Sequence, residues 1–401
     1  MPKRKTKVPP APVCRATEPT RILFWSQCVG APTTHRGKKL SELTGLPVLR
    51  PSIRSSAIGL ASECYRKYLY RYRLGLESKY YDSALTIGKV YHSIRALLRK
   101  GKSESDALHI AAHLLGEWQQ RTLDATDKFG MTSWGQDSSQ VIEKGNKDWQ
   151  IARAMALWAH HRNPIREDEY EILGIEKLIE IYYQTIRTPI RIRVDLLLRN
   201  RETGELWIYD EKTCSDPPMQ IMAGLKFALQ PKLYRLAVEA WLQNDPSAPE
   251  GKLTGVCHDL IQKLTIRQKQ KESLEEYIDR VSQEYDSNLA ACTAPGGNLK
   301  ELKYVRSTIR YNAALVDEEM LLQLRQADRM AYTTPSLSQY PRAVNPLITC
   351  VQHKKLCPYM ALCESNPARW KEEIIPLYYK VRSRDIADEE DQNEWDRSIP
   401  A

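Results

Sequence analysis

One stretch constrains this chain more than any other: Ile192–Thr213, IRVDLLLRNRETGELWIYDEKT. It reads as a strand over Ile190–Leu198, a turn made by Arg-Glu-Thr-Gly-Glu, and a second strand opening at Leu206–Tyr209, because β-branched and aliphatic runs flank a polar break with a glycine in it. Each strand interrupts its apolar pattern with an acid, Asp195 in the first and Asp210 at the end of the second. Lys212 lies two residues past Asp210, and the strand period of two puts both side chains on one face. Two carboxylates on neighbouring strands, with a lysine beside one of them, form a candidate Mg2+ site with a cationic helper. The plain alternative is a hairpin carrying solvated charges.

The rest of the chain is read around that hairpin. No apolar run reaches the roughly 18 residues a bilayer span needs. The N-terminal MPKRKTKVPPAPV has basic residues with no apolar core behind them, which is no secretory signal. A cytoplasmic protein, in a bacterium or a phage-infected cell, is expected. The formal charge of +9 points to a polyanionic partner. Residues 1–54 are Pro-, Lys- and Arg-rich and read as an extended or disordered arm. The tail, 366–401, turns acidic over Asp385–Asp396. There is no G-x-x-x-x-G-K-[ST] loop, so the chain carries no ATP-driven motor of its own. Nine cysteines in a reducing compartment suggest metal binding where they cluster, at 350–363, rather than a disulfide framework.

Helical periodicity begins at Ser55 in SSAIGLASECYRKYLYRYRLGLE, with serines suited to an N-cap. It continues through Ala84–Leu98, Glu104–Thr126 and Ser138–His161, with a break near Phe129–Asp137. Gly88 and His92 share a face, and the glycine makes room for something to approach the imidazole. Strands are expected near Tyr170, where Glu176 and Glu180 are the acids, then at the hairpin, at Leu253–Ile266 and at Tyr304–Asn312. Helices are expected over Met219–Glu239, starting or kinking at Pro231, and over Gln268–Cys292 and Val316–Tyr332. This order gives an α/β (α+β) domain: a helical part at about 84–165, then a small mixed sheet at about 170–312, flanked by helices.

Several features now fall in one order: GKVYH at 88–92, the acid-bearing strand at Glu176, Asp195, then Asp210-Glu211-Lys212-Thr213, and QPKLY at 230–234. Together they resemble the PD-(D/E)XK nuclease superfamily in its RecB-like branch, over about residues 55–365. The resemblance implies a restriction-endonuclease-like core and a metal-ion-dependent deoxyribonuclease. Its expected activity is exonucleolytic hydrolysis of linear DNA, single- or double-stranded, in recombination, repair or phage DNA metabolism. It assigns catalysis to Asp195, Asp210, Lys212 and Glu176. It assigns Mg2+ or Mn2+ ligation to His92, Asp195, Asp210 and the backbone carbonyl of Glu211, and DNA contact to Gln230 and Tyr234. It also implies a [4Fe–4S] cluster held by Cys64, Cys350, Cys357 and Cys363, the last two in CPYMALC, closing the C-terminal segment onto the first helix. Thiolates by themselves suit zinc as well as iron–sulfur. The chain departs from the family pattern at Arg193, in place of a glycine, at Tyr65, in place of a proline, and in the wide Cys350–Cys357 spacing. A non-cutting nucleic-acid scaffold and a zinc-stabilised interaction module are the competing readings. No membrane partner is expected, and a homo-oligomer or a recombination or helicase partner is left open.

Overall fold

A computed structural model of the chain describes residues 40–49, 51–124, 126–127, 130–183, 186–225, 227–266, 268–310, 317–332, 350–352 and 355–381. The expected arm up to residue 39, with Cys14 and Cys28, lies outside the described residues, as do Phe129 and the acidic run Asp385–Asp396.

The sheet has five strands: β2 (Tyr170–Ile181), β3 (Ile190–Asn200), β4 (Leu206–Cys214), β5 (Leu253–Gln262) and β6 (Tyr304–Ile309), paired in that order. The hairpin β3–β4 forms as its pattern dictates. Asn200 accepts from the amides of Glu202 and Thr203, and Gly204 closes the turn at φ 69°, a conformation other residues adopt only under strain. β5 runs parallel to β4, and the remaining pairings are antiparallel. This is the expected small mixed sheet with helices around it.

Before the sheet come α1 (Leu40–Thr44), α2 (Ser55–Glu63), α3 (Tyr65–Tyr68), a π-helical turn at Leu69–Arg73 and the short strand β1 (Leu76–Ser78). Three long helices follow: α4 (Ser83–Arg99), α5 (Glu104–Leu123) and α6 (Ser138–Arg162). Asp82, Ser103 and Asp137 cap them by accepting first-turn amides, each such cap contributing about 1 kcal/mol. The serines at 55–56 do not play this part: the α2 N-cap is Arg54, with no side-chain cap.

Two differences from expectation concern breaks. The helix expected over Met219–Glu239 is two helices, α7 (Pro218–Leu225) and α8 (Leu229–Asn244). Pro231 sits in the first turn of α8, where its missing amide has no intrahelical partner to lose. The charged helix begins only at Leu274, as α9 (Leu274–Thr293), because Ser273 and Glu276 form a reciprocal capping box there. α10 (Asp317–Tyr332) follows the sheet, and a C-terminal segment with short helical turns ends on the strand Tyr379–Val381, which pairs with β1.

Core packing explains where the site lies. One cluster joins α4, α5, α6 and α9, and a second lays α8 and α10 on one sheet face. A third holds Leu40, Tyr70, Leu76, Cys357 and Trp370 together. Leu40 and Trp370 are both buried here, and Ile53 bridges to Ile190, so the folded body runs past both expected edges, Ser55 and 365. The physical reason is hydrophobic: burying a Leu or Trp outweighs the polar composition of the segments around it. No described helix is long and apolar enough to cross a membrane.

Candidate metal centre and its neighbours

Strand alternation breaks where the acids sit. Ile190, Ile192 and Val194 of β3 pack toward α8, yet Leu196 and Leu198 join the opposite face with Trp207 and Tyr209. The same switch occurs on β2 between Ile175 and Ile179. The ladder pairs Ile175 with Leu196 and Lys177 with Val194, and between them face Glu176 and Asp195. Glu176 has φ 50°, the single non-glycine residue with positive φ among the described residues. Such a backbone costs on the order of 1–3 kcal/mol and persists only where its surroundings impose it.

The result is a tight group. One ligand atom each from His92, Glu176 and Asp195 lies within 4.8 Å of the other two. His92 projects from α4, with Nδ1 3.8 Å from Asp195 Oδ2. Burial pushes the Asp195 carboxyl up to about 8, helped by the negative charges of Asp210 and Glu211. Burial and Asp195 push Glu176 up to about 7.

Asp210, close enough to raise Asp195, has partners of its own. Lys212 Nζ is 3.0 Å from Asp210 Oδ2, and Gln230 Oε1 accepts from the same ammonium at 2.9 Å. The parallel register sets His258 of β5 directly beside Asp210, with Nδ1 2.9 Å from Oδ2. A carboxylate only accepts, so this nitrogen carries the proton. Burial pushes the Asp210 carboxyl up, but Lys212 and His258 outweigh it and hold the group below the usual carboxylate range.

Glu211 points to the other side of β4. Its carboxylate accepts from Arg95 at 3.0 Å and from Arg99 at 2.8 and 2.7 Å, all three side chains being buried. Against the burial, these two guanidinium groups hold Glu211 strongly ionised. Its backbone N–H donates to Asp195 Oδ2 at 2.6 Å, which joins the two strands at the site.

The family model of the PD-(D/E)XK nuclease superfamily matches residues 55–364. The chain belongs to this superfamily. Among solved structures it is similar to a phage-related exonuclease from Haemophilus somnus 129PT, at 13% identity. That likeness covers 60% of this chain and 90% of the other, with a TM-score of 0.21, too slight for residue-by-residue comparison. No curated protein matches the chain.

PD-(D/E)XK nucleases typically use divalent metals, and the residues present fit one. Glu176 and Asp195 offer carboxylate oxygens and His92 a nitrogen, each within 4.8 Å of the other two. The expected residues divide into two sets: His92, Glu176 and Asp195 together, and Asp210, Lys212 and Gln230 together. Tyr234, expected at the DNA, makes a contact inside the protein. It is buried in the core under α8, and its hydroxyl accepts from Gln230 Nε2 at 2.6 Å, so it orients the glutamine that holds Lys212. The space expected beside Gly88 is also filled: a Cβ there would meet Thr213 Oγ1 at 3.3 Å.

Sequence reading missed His258, Arg95, Arg99 and the part played by Arg193. Arg95 and Arg99 lie three and seven residues past His92, one stripe of α4, which was a usable signal. His258 and Asp259 are adjacent polar residues inside an otherwise apolar buried strand, LTGVCHDLIQ, and that was a signal too. Arg193, in the glycine position, lies 3.9 Å from Glu176 and brings a cation to the edge of the metal group.

Three of the four expected cluster cysteines belong to one core cluster. Cys357 is buried in the third core cluster, with Cys350 and Cys363 packed against it. Cys64 sits at the break between α2 and α3, flanked by Ala61 and Tyr65 of that same cluster. Burial pushes the Cys357 thiol up to about 11, with Lys67 opposing the shift. Cys214, Cys257 and Cys292 are buried elsewhere, and Cys214 packs its thiol on the Ile261 carbonyl.

Proposed function

We propose that this chain is a Mg2+- or Mn2+-dependent deoxyribonuclease of the RecB-like branch, an exonuclease hydrolysing linear DNA in recombination, repair or phage DNA metabolism. The observation that carries the reading is the His92–Glu176–Asp195 group beside the Asp210–Lys212–Gln230 chain. When bound, the ion supplies Lewis acidity toward the phosphate and makes water more acidic. His92, Glu176, Asp195 and Asp210 would hold it. The Glu211 carbonyl is a further candidate, because in a strand it leaves on the same side as the N–H that reaches Asp195.

Lys212 is the catalytic cation. An ammonium has three donors, of which Asp210 and Gln230 take two. The third is directed at the attacking water or at the developing charge on phosphorus. Asp210, held ionised by Lys212 and His258, keeps the ammonium in place. The cysteine group would hold a [4Fe–4S] cluster. Joining Cys64 to Cys350, Cys357 and Cys363 would close nearly the whole core into one loop, so cluster loss would loosen the fold.

The test is degradation of end-labelled linear DNA against a covalently closed circle, with Mg2+, Mn2+ or EDTA, for wild type, Asp195→Ala and Lys212→Ala. Wild type should consume linear DNA only, in a metal-dependent way, and both variants should be inactive. Undiminished cutting by the variants refutes the site, cutting of the circle refutes the exonuclease, and an inert wild type supports the scaffold reading. Anaerobically purified protein should be brown, and Cys357→Ser colourless; a colourless wild type holding zinc refutes the cluster.

A further inference from the structure

A narrow cleft of about 90 Å3 lies between β1, the first turns of α4 and the end of α5. Four cations line it: Lys79, Lys89, Arg121 and Lys380, the last on the strand Tyr379–Val381 that pairs with β1. Two acids accompany them. Asp82 is engaged in capping α4, where it accepts from the Ala84 and Leu85 amides at 2.9 and 3.4 Å. Glu77 faces Lys380 across the strand pair. The cleft wall also carries the half-buried ring of Trp118, with Lys89 Nζ 4.8 Å from its centroid, and Leu85, which is 57% exposed.

Cations beside an aromatic ring are the elements with which proteins track a single nucleic-acid strand: charge follows the backbone and the ring offers a face to bases. The helix α4 carries residues of both the cleft and the metal group. Leu85, Lys89 and His92 are spaced i, i+4, i+7 and form one stripe on α4. At 1.5 Å per residue, Leu85 is only about 10 Å along the axis from His92.

We propose that this cleft holds one strand of the DNA as it passes to the metal group, and that it is too narrow to take a duplex. The proposal rests on the chain being a DNA nuclease and names the strand-guiding surface of that same site. The ligand recognised is single-stranded DNA, held through its phosphates and without sequence preference.

Binding of fluorescein-labelled oligo(dT) to the full chain, followed by anisotropy in EDTA over a range of salt, tests it. Arg121→Glu combined with Lys380→Glu should weaken binding roughly tenfold, and lost phosphate contacts should lower the salt slope by about 0.7 each. Affinity for a blunt duplex should hardly change, and an unchanged unfolding midpoint shows that the variant is folded. Lys89→Gln, measured separately, should give the same loss in smaller degree. Equal affinity and slope for wild type and variants overturn the cleft while leaving the nuclease reading intact. Equal loss for single strand and duplex overturns the single-strand assignment. A wild type that neither binds nor cuts DNA sinks the nuclease reading itself.

Discussion

The two faces of β4 carry the same chemistry to opposite ends. Asp210 and Glu211 are adjacent buried carboxylates, both held ionised by cations. Glu211 is locked by a two-pronged guanidinium contact from Arg99 and a single Nε–H bond from Arg95, three charge-assisted bonds from rigid partners. Asp210 is held by one ammonium, which it shares with Gln230, and by one imidazole. A carboxylate saturated by rigid partners fixes a strand. One held by Lys and His can take part in a reaction. The neighbouring Asp195 shows the other extreme, a half-buried carboxyl raised by its surroundings and by the charges of Asp210 and Glu211.

Substitutions on the two faces should therefore fail differently. The largest effect expected is for Lys212→Ala, with DNA cleavage falling about 10³-fold or more in single-turnover assays while the unfolding midpoint barely moves. A variant that loses stability in proportion would place Lys212 with the structural face. Next, Glu211→Gln should destabilise the fold by about 3–5 kcal/mol in urea titrations, because it leaves two buried cations facing a neutral amide. Full stability in that variant would remove the distinction between the faces.

His258→Gln tests the middle ground. Losing a charge-assisted hydrogen bond to Asp210 should lower kcat about tenfold with KM unchanged. A change in KM alone would mean that His258 serves DNA binding instead. The smallest effect expected is on stability in Asp195→Asn, measured in EDTA. The folded carboxyl is raised to about 8, so folding takes up a proton, and wild-type stability should fall as pH rises from about 3.8 toward 8. The asparagine variant should lose that slope and melt slightly higher than wild type at pH 8. An identical pH profile for the two proteins would show that Asp195 is not the raised carboxyl.

Much of this arrangement was legible in the residues. The hairpin, the histidine helix and the Gln-x-x-x-Tyr helix follow from periodicity and turn chemistry, which act over a few neighbours. His258 was not, since nothing local says that β5 runs parallel to β4 in the register that sets it beside Asp210. Arg95 and Arg99 were passed over because long basic side chains usually lie on surfaces, and only packing of α4 on β4 buries them. The bond between Tyr234 and Gln230 was hidden for the same reason: a tyrosine on an amphipathic helix reads alike whether its hydroxyl meets solvent or a core glutamine.

By itself, then, the chain determined which segments become strands and helices, which acids interrupt them, and that Lys212 shares a face with Asp210, because alternation and helical spacing are properties of consecutive residues. Only the tertiary structure decided that Glu176 meets Asp195 across a broken ladder, that Asp210 gains a buried imidazole, and that Glu211 becomes a strut. Those outcomes depend on strand register and burial. Both are settled by contacts between segments far apart in the chain, where the charge of a side chain counts for less than what it is buried against.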